Sequence, residues 1–161
     1  MYQRILLAYD GSQEGLIALR EGALLAKRFG AHVFLLAIVP ESHGARMAEG
    51  LTGHAVAYEI ADYKALLARG VEVLTKLGLD PDARLVFGEP APQIGAYASE
   101  IGADLIVLSH RRQNLIQRWW SGSTGAYISD NVRCSVLIGR NVISDAAFAA
   151  ALERAAVVHS A

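Results

Sequence analysis

The chain has little of several things that would otherwise define a protein. Among 161 residues there is one cysteine, Cys134. No internal disulfide and no four-cysteine zinc site can form, so a reducing, cytoplasmic setting is the expectation. Charge of one sign is missing too. Lys and Arg number 15 against 16 Asp and Glu, a net charge of -1, too balanced for the whole surface to attract a polyanion or an anionic membrane. Long apolar runs are absent. Ile5 to Ala8 is cut off by Tyr9-Asp10, and Val33 to Val39 is bounded by His32 and Pro40. A bilayer span takes about 20 apolar residues and a secretory h-region about 7 to 15 behind a basic N-terminus, so the chain reads as soluble and untargeted. No repeat and no low-complexity linker is visible.

Chemical motifs are equally sparse. No G-x-S-x-G nucleophile elbow occurs, and Ser109-His110 are merely adjacent, which does not aim a base at a nucleophile. The other histidines, His32, His43, His54 and His159, show no metal-ligand spacing, so no metal is expected. Neither a Walker lysine nor a G-x-G-x-x-G after the first strand supports P-loop catalysis or dinucleotide binding. Without paired metal carboxylates or a positioned base, the chain is read as a non-enzyme.

What is present is a core. Hydrophobic residues make up 53% and charged residues 19%, a globular composition, and 161 residues suffice for one well-filled interior. Five aliphatic runs predict strands at Arg4–Tyr9, Val33–Val39, Ala83–Phe87, Asp104–Leu108 and Ser135–Ile138. They are continuous rather than alternating, as a parallel sheet covered on both faces requires.

Helical patterns separate the runs. Ser12 caps the first, with Leu16, Leu19, Ala23 and Ala26 on one stripe and Gly30 closing it. A second runs from about His54 to Leu77, with Ile60, Leu67, Val71 and Leu74 inward, and Gly78 ends it. A third starts after Pro90-Ala91-Pro92 and stops at Gly102. A fourth begins near Gly122 and reaches Asn131. A tail helix, Asp145 to Val158, follows a Ser144 cap. Residues 1–140 thus form the domain and 141–161 a tail, while the long connection from Pro40 to Gly53 reads as a mobile flap.

This β-α alternation predicts an α/β fold, a doubly wound, Rossmann-like parallel sheet with helices on both faces. Such sheets bind ligands outside the strand C-termini where the order reverses. If the order is 3-2-1-4-5, the loops after strands one and four flank that crevice. Asp10 there could accept hydrogen bonds from a ribose or form an Asx-turn. Gly122-Ser123-Thr124-Gly125 opens a helix whose free N–H groups suit a phosphate, or serves as a plain cap. His110, Arg111, Arg112 and Arg118 add cations. Trp119-Trp120 could stack on a base, but two such rings more often cover a core or a subunit contact. Nucleic-acid binding is not expected. Cys134 reads as a small packing residue.

Four segments together resemble the universal stress protein family: Arg4 to Ser12, Gly88-Glu89-Pro90-Ala91, Gly102 to Leu108, and Gly122-Ser123 through Ile138. The resemblance implies the 3-2-1-4-5 sheet, a homodimer through the last strand, and a role in stress tolerance rather than a defined reaction. Family members that hold ATP carry G-x2-G-x9-G-[ST] after strand four. Here Leu108 and Arg111 stand at the first two glycines, and ten residues rather than nine precede Gly122-Ser123. Glycine there lets the backbone approach a phosphate, so its loss opposes binding, while Arg111 or Arg112 could supply a charged fork instead. Asp10 and the main chain of Ile38 match the family's ribose and adenine positions. The resulting expectation is an ATP or other adenine-nucleotide site made of Asp10, Ser12, Ile38, Ser109, His110, Arg111, Arg112, Gly122, Ser123 and Thr124. The alternative is a nucleotide-free dimer acting through an unknown protein partner.

Overall fold

Each of the five aliphatic runs forms a strand. The computed structural model of the protein describes residues 1–40, 53–109 and 131–157, with side chains except those of 53–59 and 155–157. β1 (Arg4–Ala8), β2 (His32–Val39), β3 (Asp82–Phe87), β4 (Leu105–Ser109) and β5 (Ser135–Gly139) make one sheet in the order β3-β2-β1-β4-β5. Every neighbouring pair is parallel.

Between the strands lie α1 (Gln13–Phe29), α2 (Gly53–Lys76) and α3 (Pro90–Glu100), and α4 (Asp145–Val157) follows β5. Both faces of the sheet are covered. Ile5, Leu7, Val33, Leu35 and Val107 pack with Leu19, Ala23 and Ala26 of α1 and Leu74 of α2. On the other face, Leu6, Leu36 and Ile106 pack with Ala91, Ile94 and Tyr97 of α3. Successive side chains of a strand point to opposite faces, and here both faces are interior. That is why Ile5, Leu6 and Leu7, all at most 1% exposed, stand in a row.

The glycine stops fall where expected. Gly30 has φ 62°, and its N–H reaches the carbonyls of Ala26 and Lys27. Gly78, at φ 70°, donates to the Thr75 carbonyl at 2.8 Å. Both take the left-handed conformation that ends a helix at little cost only for glycine.

Some limits differ from the sequence reading. α3 begins at Pro90, not after Pro92. The first four N–H groups of a helix have no intrahelical partner, so neither proline forfeits a bond there. β2 begins one residue early, at His32, because His32 pairs with Arg4 and its N–H donates to the Gln3 carbonyl at 2.8 Å. Asp104 falls outside β4. Its carboxylate instead accepts from the Gln3 N–H at 2.7 Å and from the Arg4 N–H, fastening the start of β1 to the start of β4. The flap between Pro40 and Gly53 and the helix expected from Gly122 lie outside the described residues, apart from their end positions.

Candidate functional site

Strand register decides which residues share the rim. Ala8 pairs with Leu36 and Leu7 with Val107. Two residues further along, Asp10 stands level with Ile38, and Tyr9 with Ser109. Because β1 lies between β2 and β4, while the connections from β1 and β4 leave in opposite directions, this is the point where strand order reverses. Asp10, Ile38 and Ser109 are thus brought to one rim, at the strand C-termini where such sheets bind ligands.

The turn at that rim is built by three residues. Asp10 Oδ1 accepts from the Ser12 N–H at 3.0 Å and from Ser12 Oγ at 2.6 Å. Ser12 Oγ in turn accepts from the Gly15 N–H at 2.9 Å, which makes Ser12 the N-cap of α1. The Asx-turn and the cap, both considered for these residues, are therefore present. They hold an exposed carboxylate at this rim.

Glycines shape the turn in a way the sequence reading missed. Gly11 has φ +74°, and a β-carbon there would lie 2.5 Å from Leu66 Cδ1. At Gly15 a β-carbon would lie 2.5 Å from Asp10 Oδ1. The available signal was a glycine in the first turn of a helix, where it costs roughly 1 kcal/mol relative to alanine and so asks for a reason.

Tyr9 supports the turn from below. Its side chain is 7% exposed, and its N–H donates to the Leu36 carbonyl at 2.9 Å. The ring occupies a slot between α1 and α2. A β-carbon at Gly70 would come within 2.9 Å of the ring, and one at Gly15 within 3.4 Å. Burial pushes the Tyr9 phenol above its usual range; the positive charge of Arg69 pulls the other way, and Asp10 adds to the rise. The phenol is neutral at physiological pH.

Ile38 and Ser109 are half-buried, and Ser109 pairs with Gly139. Leu108 pairs with Ile138 and is 6% exposed in the core beneath α3. His110, Arg111, Arg112, Trp119, Trp120, Gly122, Ser123 and Thr124 lie outside the described residues. Cys134 packs against the same core, and burial first, then the charge of Asp104, raises its thiol. Among the described residues there is no group of three or more His, Cys, Asp or Glu suited to a metal ion. No helix among them is long and apolar enough to cross a membrane.

Three relatives place this architecture. A putative universal stress protein of Staphylococcus haemolyticus is 31% identical over 141 residues, covering 86% of this chain and 85% of its own. A universal stress protein solved in complex with cAMP superposes with a TM-score of 0.63 at 22% identity, over 86% of this chain and 97% of that one. The universal stress protein from Archaeoglobus fulgidus in complex with dAMP gives a TM-score of 0.63 at 21% identity, over 86% and 98%. The model of the universal stress protein family matches residues 1–140. The sheet order, the rim turn and this match together establish that the chain belongs to the universal stress protein family.

Proposed function

We propose that this chain is a binding protein that holds an adenine nucleotide in the crevice between the C-terminal ends of β1 and β4 and responds to it through its protein contacts, without turnover. The observation that carries the reading is the shared rim of Asp10, Ile38 and Ser109 at the reversal of strand order. Two structural neighbours were solved with cAMP and with dAMP, which supports an adenosine phosphate as the ligand class. Binding rather than catalysis fits the local chemistry. Ser12 Oγ donates a hydrogen bond to Asp10 and accepts one from the Gly15 N–H, so it caps a helix rather than facing a substrate as a nucleophile.

Equilibrium titration of nucleotide-stripped protein with ATP, ADP, AMP and cAMP tests this. Saturable binding below millimolar concentration is expected. No binding to any of the four would remove the reading.

A homodimer through β5 is part of the proposal. The two sheet edges differ. β3 is exposed and carries Asp82 and Arg84, charges of the kind that discourage strand addition, whereas β5 reads Ser-Val-Leu-Ile-Gly without any. Sedimentation velocity should show a species of about twice the 17.3 kDa chain mass.

A second reading, a nucleotide-free dimer that binds only proteins, draws on Leu108. Its burial in the core puts a strand residue at the position where the family resemblance leads one to expect the first glycine of a nucleotide-binding loop. Adenine nucleotide released on denaturing freshly isolated protein would count against this second reading.

A further inference from the structure

We propose that α4 is a releasable strap, a helix held on the flank of α1 chiefly by Phe148, the buried side chain among those described in it, that detaches as a unit while the sheet remains folded. It lies beyond residue 140, where the family match stops, and so is an addition to the matched domain. Phe148 is 6% exposed. By contrast Asp145, Ala146, Ala147, Ala149 and Glu153 are exposed and Ala150, Ala151 and Leu152 are half-buried, so among the described side chains of α4 Phe148 is the one fully buried anchor.

The remaining ties lie near the surface. Asp145 Oδ1 meets Arg20 Nη1 at 2.7 Å, but the two side chains are 89% and 38% exposed, and ion pairs so open to water hold weakly. The Arg20 guanidinium also lies over the Phe148 ring, 5.1 Å from its centroid. Asn141 Nδ2 donates to Glu21 Oε1 at 2.9 Å.

One feature of the docked state works against it. Glu21 Oε2 is buried without a hydrogen-bond partner, beside Gly139, where a β-carbon would lie 3.2 Å away. Asn141, which bonds the other oxygen of this carboxylate, leads into α4. Letting Asn141 and the residues after it go, with Gly139 kept in β5, opens the carboxylate to water and lowers the desolvation cost. Among the described side chains the strap therefore rests chiefly on Phe148, opposed by an unmet acceptor, whereas β1 and β4 hold Ile5, Leu6, Leu7, Ile106 and Val107 at 1% exposure or less.

Release bares Arg20 and frees Phe148 and Leu152, four residues apart and so on one helical face, beside the uncharged edge strand β5. A free 13-residue helix is marginal in water even when rich in alanine, so detachment and unwinding go together, and amide exchange reads both.

Hydrogen exchange by mass spectrometry on the full chain is the test. Peptides from 145–157 should exchange roughly 100-fold or more faster than those of β1 and β4, yet measurably slower than unstructured chain. Phe148→Ala should remove that residual protection while leaving β1 and β4 as they were, and Phe148→Leu should keep part of it. Asp145→Asn, at the exposed pair, should change the rate less than about threefold. The proposal is overturned if α4 is protected as long as the sheet, if wild-type α4 has no protection, or if Phe148→Ala unfolds the domain.

Discussion

Gly15 and Asp10 occupy one another's space: a β-carbon at position 15 would sit 2.5 Å from Asp10 Oδ1. The carboxylate keeps its two bonds to Ser12 only because the helix offers no side chain there. In Gly15→Ala, Asp10 must swing away. The gain in helix propensity, at most about 1 kcal/mol, offsets only part of the loss of two hydrogen bonds contributing roughly 1 kcal/mol each. Stability is therefore expected to fall by about 1 kcal/mol, while affinity for AMP or ATP falls about tenfold or more, the loss of one charge-assisted contact. Unchanged affinity in a folded Gly15→Ala protein would show that Asp10 does not face the nucleotide.

Asp104 gives a prediction about stability alone. Its carboxylate accepts the Gln3 and Arg4 N–H groups, donors that its removal leaves without this partner at the foot of the central strand. Asp104→Ala should cost about 1–3 kcal/mol in urea denaturation without changing nucleotide affinity, since this staple sits at the opposite end of the sheet from the rim.

Gly139 lies against α1 so closely that a β-carbon would come within 2.6 Å of the Ala18 α-carbon. That neighbour is backbone and cannot rotate aside. Gly139→Ala should therefore destabilise by about 1–3 kcal/mol through overpacking. A thermal midpoint equal to wild type would mean that α1 shifts freely, which the packing of Ala18 and Leu19 at 2% exposure argues against.

Two carboxylates shape the acid limb of stability. A hydrogen bond from Arg84 holds Glu100 below its ordinary value of 4.5, and one from Lys76 does the same for Glu72. Both folded-state values are depressed, so the stabilisation is present above about pH 4.5 and is lost as pH falls through the lower folded values. The Glu72→Gln, Glu100→Gln double variant should show a shallower fall of stability with acidification. An identical pH profile would mean that these exposed pairs do not persist in solution.

Cys134 is half-buried, and burial first, then Asp104, raises its thiol above the usual range. Little thiolate is present at pH 7, so a disulfide reagent should modify the native protein slowly and the urea-unfolded protein at the rate of a free thiol. Equal rates in both states would place Cys134 outside the core.

How far the sequence reached is clearest at particular residues. The run Ile5-Leu6-Leu7 identified a strand buried on both faces, and Ser12 and Gly30 marked the two ends of α1. Those are local signals: continuity of apolar residues, a capping hydroxyl, a left-handed glycine. Cys134 was likewise legible as a packing residue.

Asp104 shows the limit. In sequence it read as the first residue of a strand, and its staple to Gln3 and Arg4 joins positions about a hundred residues apart. Nor could Gly70 and Gly139 be told from ordinary glycines, because each is required by a neighbour from another element, Tyr9 and Ala18.

The amino-acid sequence by itself determined the five strands and their parallel arrangement, because periodicity and caps are written along the chain and right-handed crossovers leave few ways to arrange them; the strand order came from the resemblance to the universal stress protein family. Only the tertiary structure decided that Asp10, Ile38 and Ser109 share one rim, that Tyr9 wedges between two helices, and that α4 hangs on Phe148. Those facts depend on register and close packing between segments far apart in the chain, and distance through space is what a linear sequence does not carry.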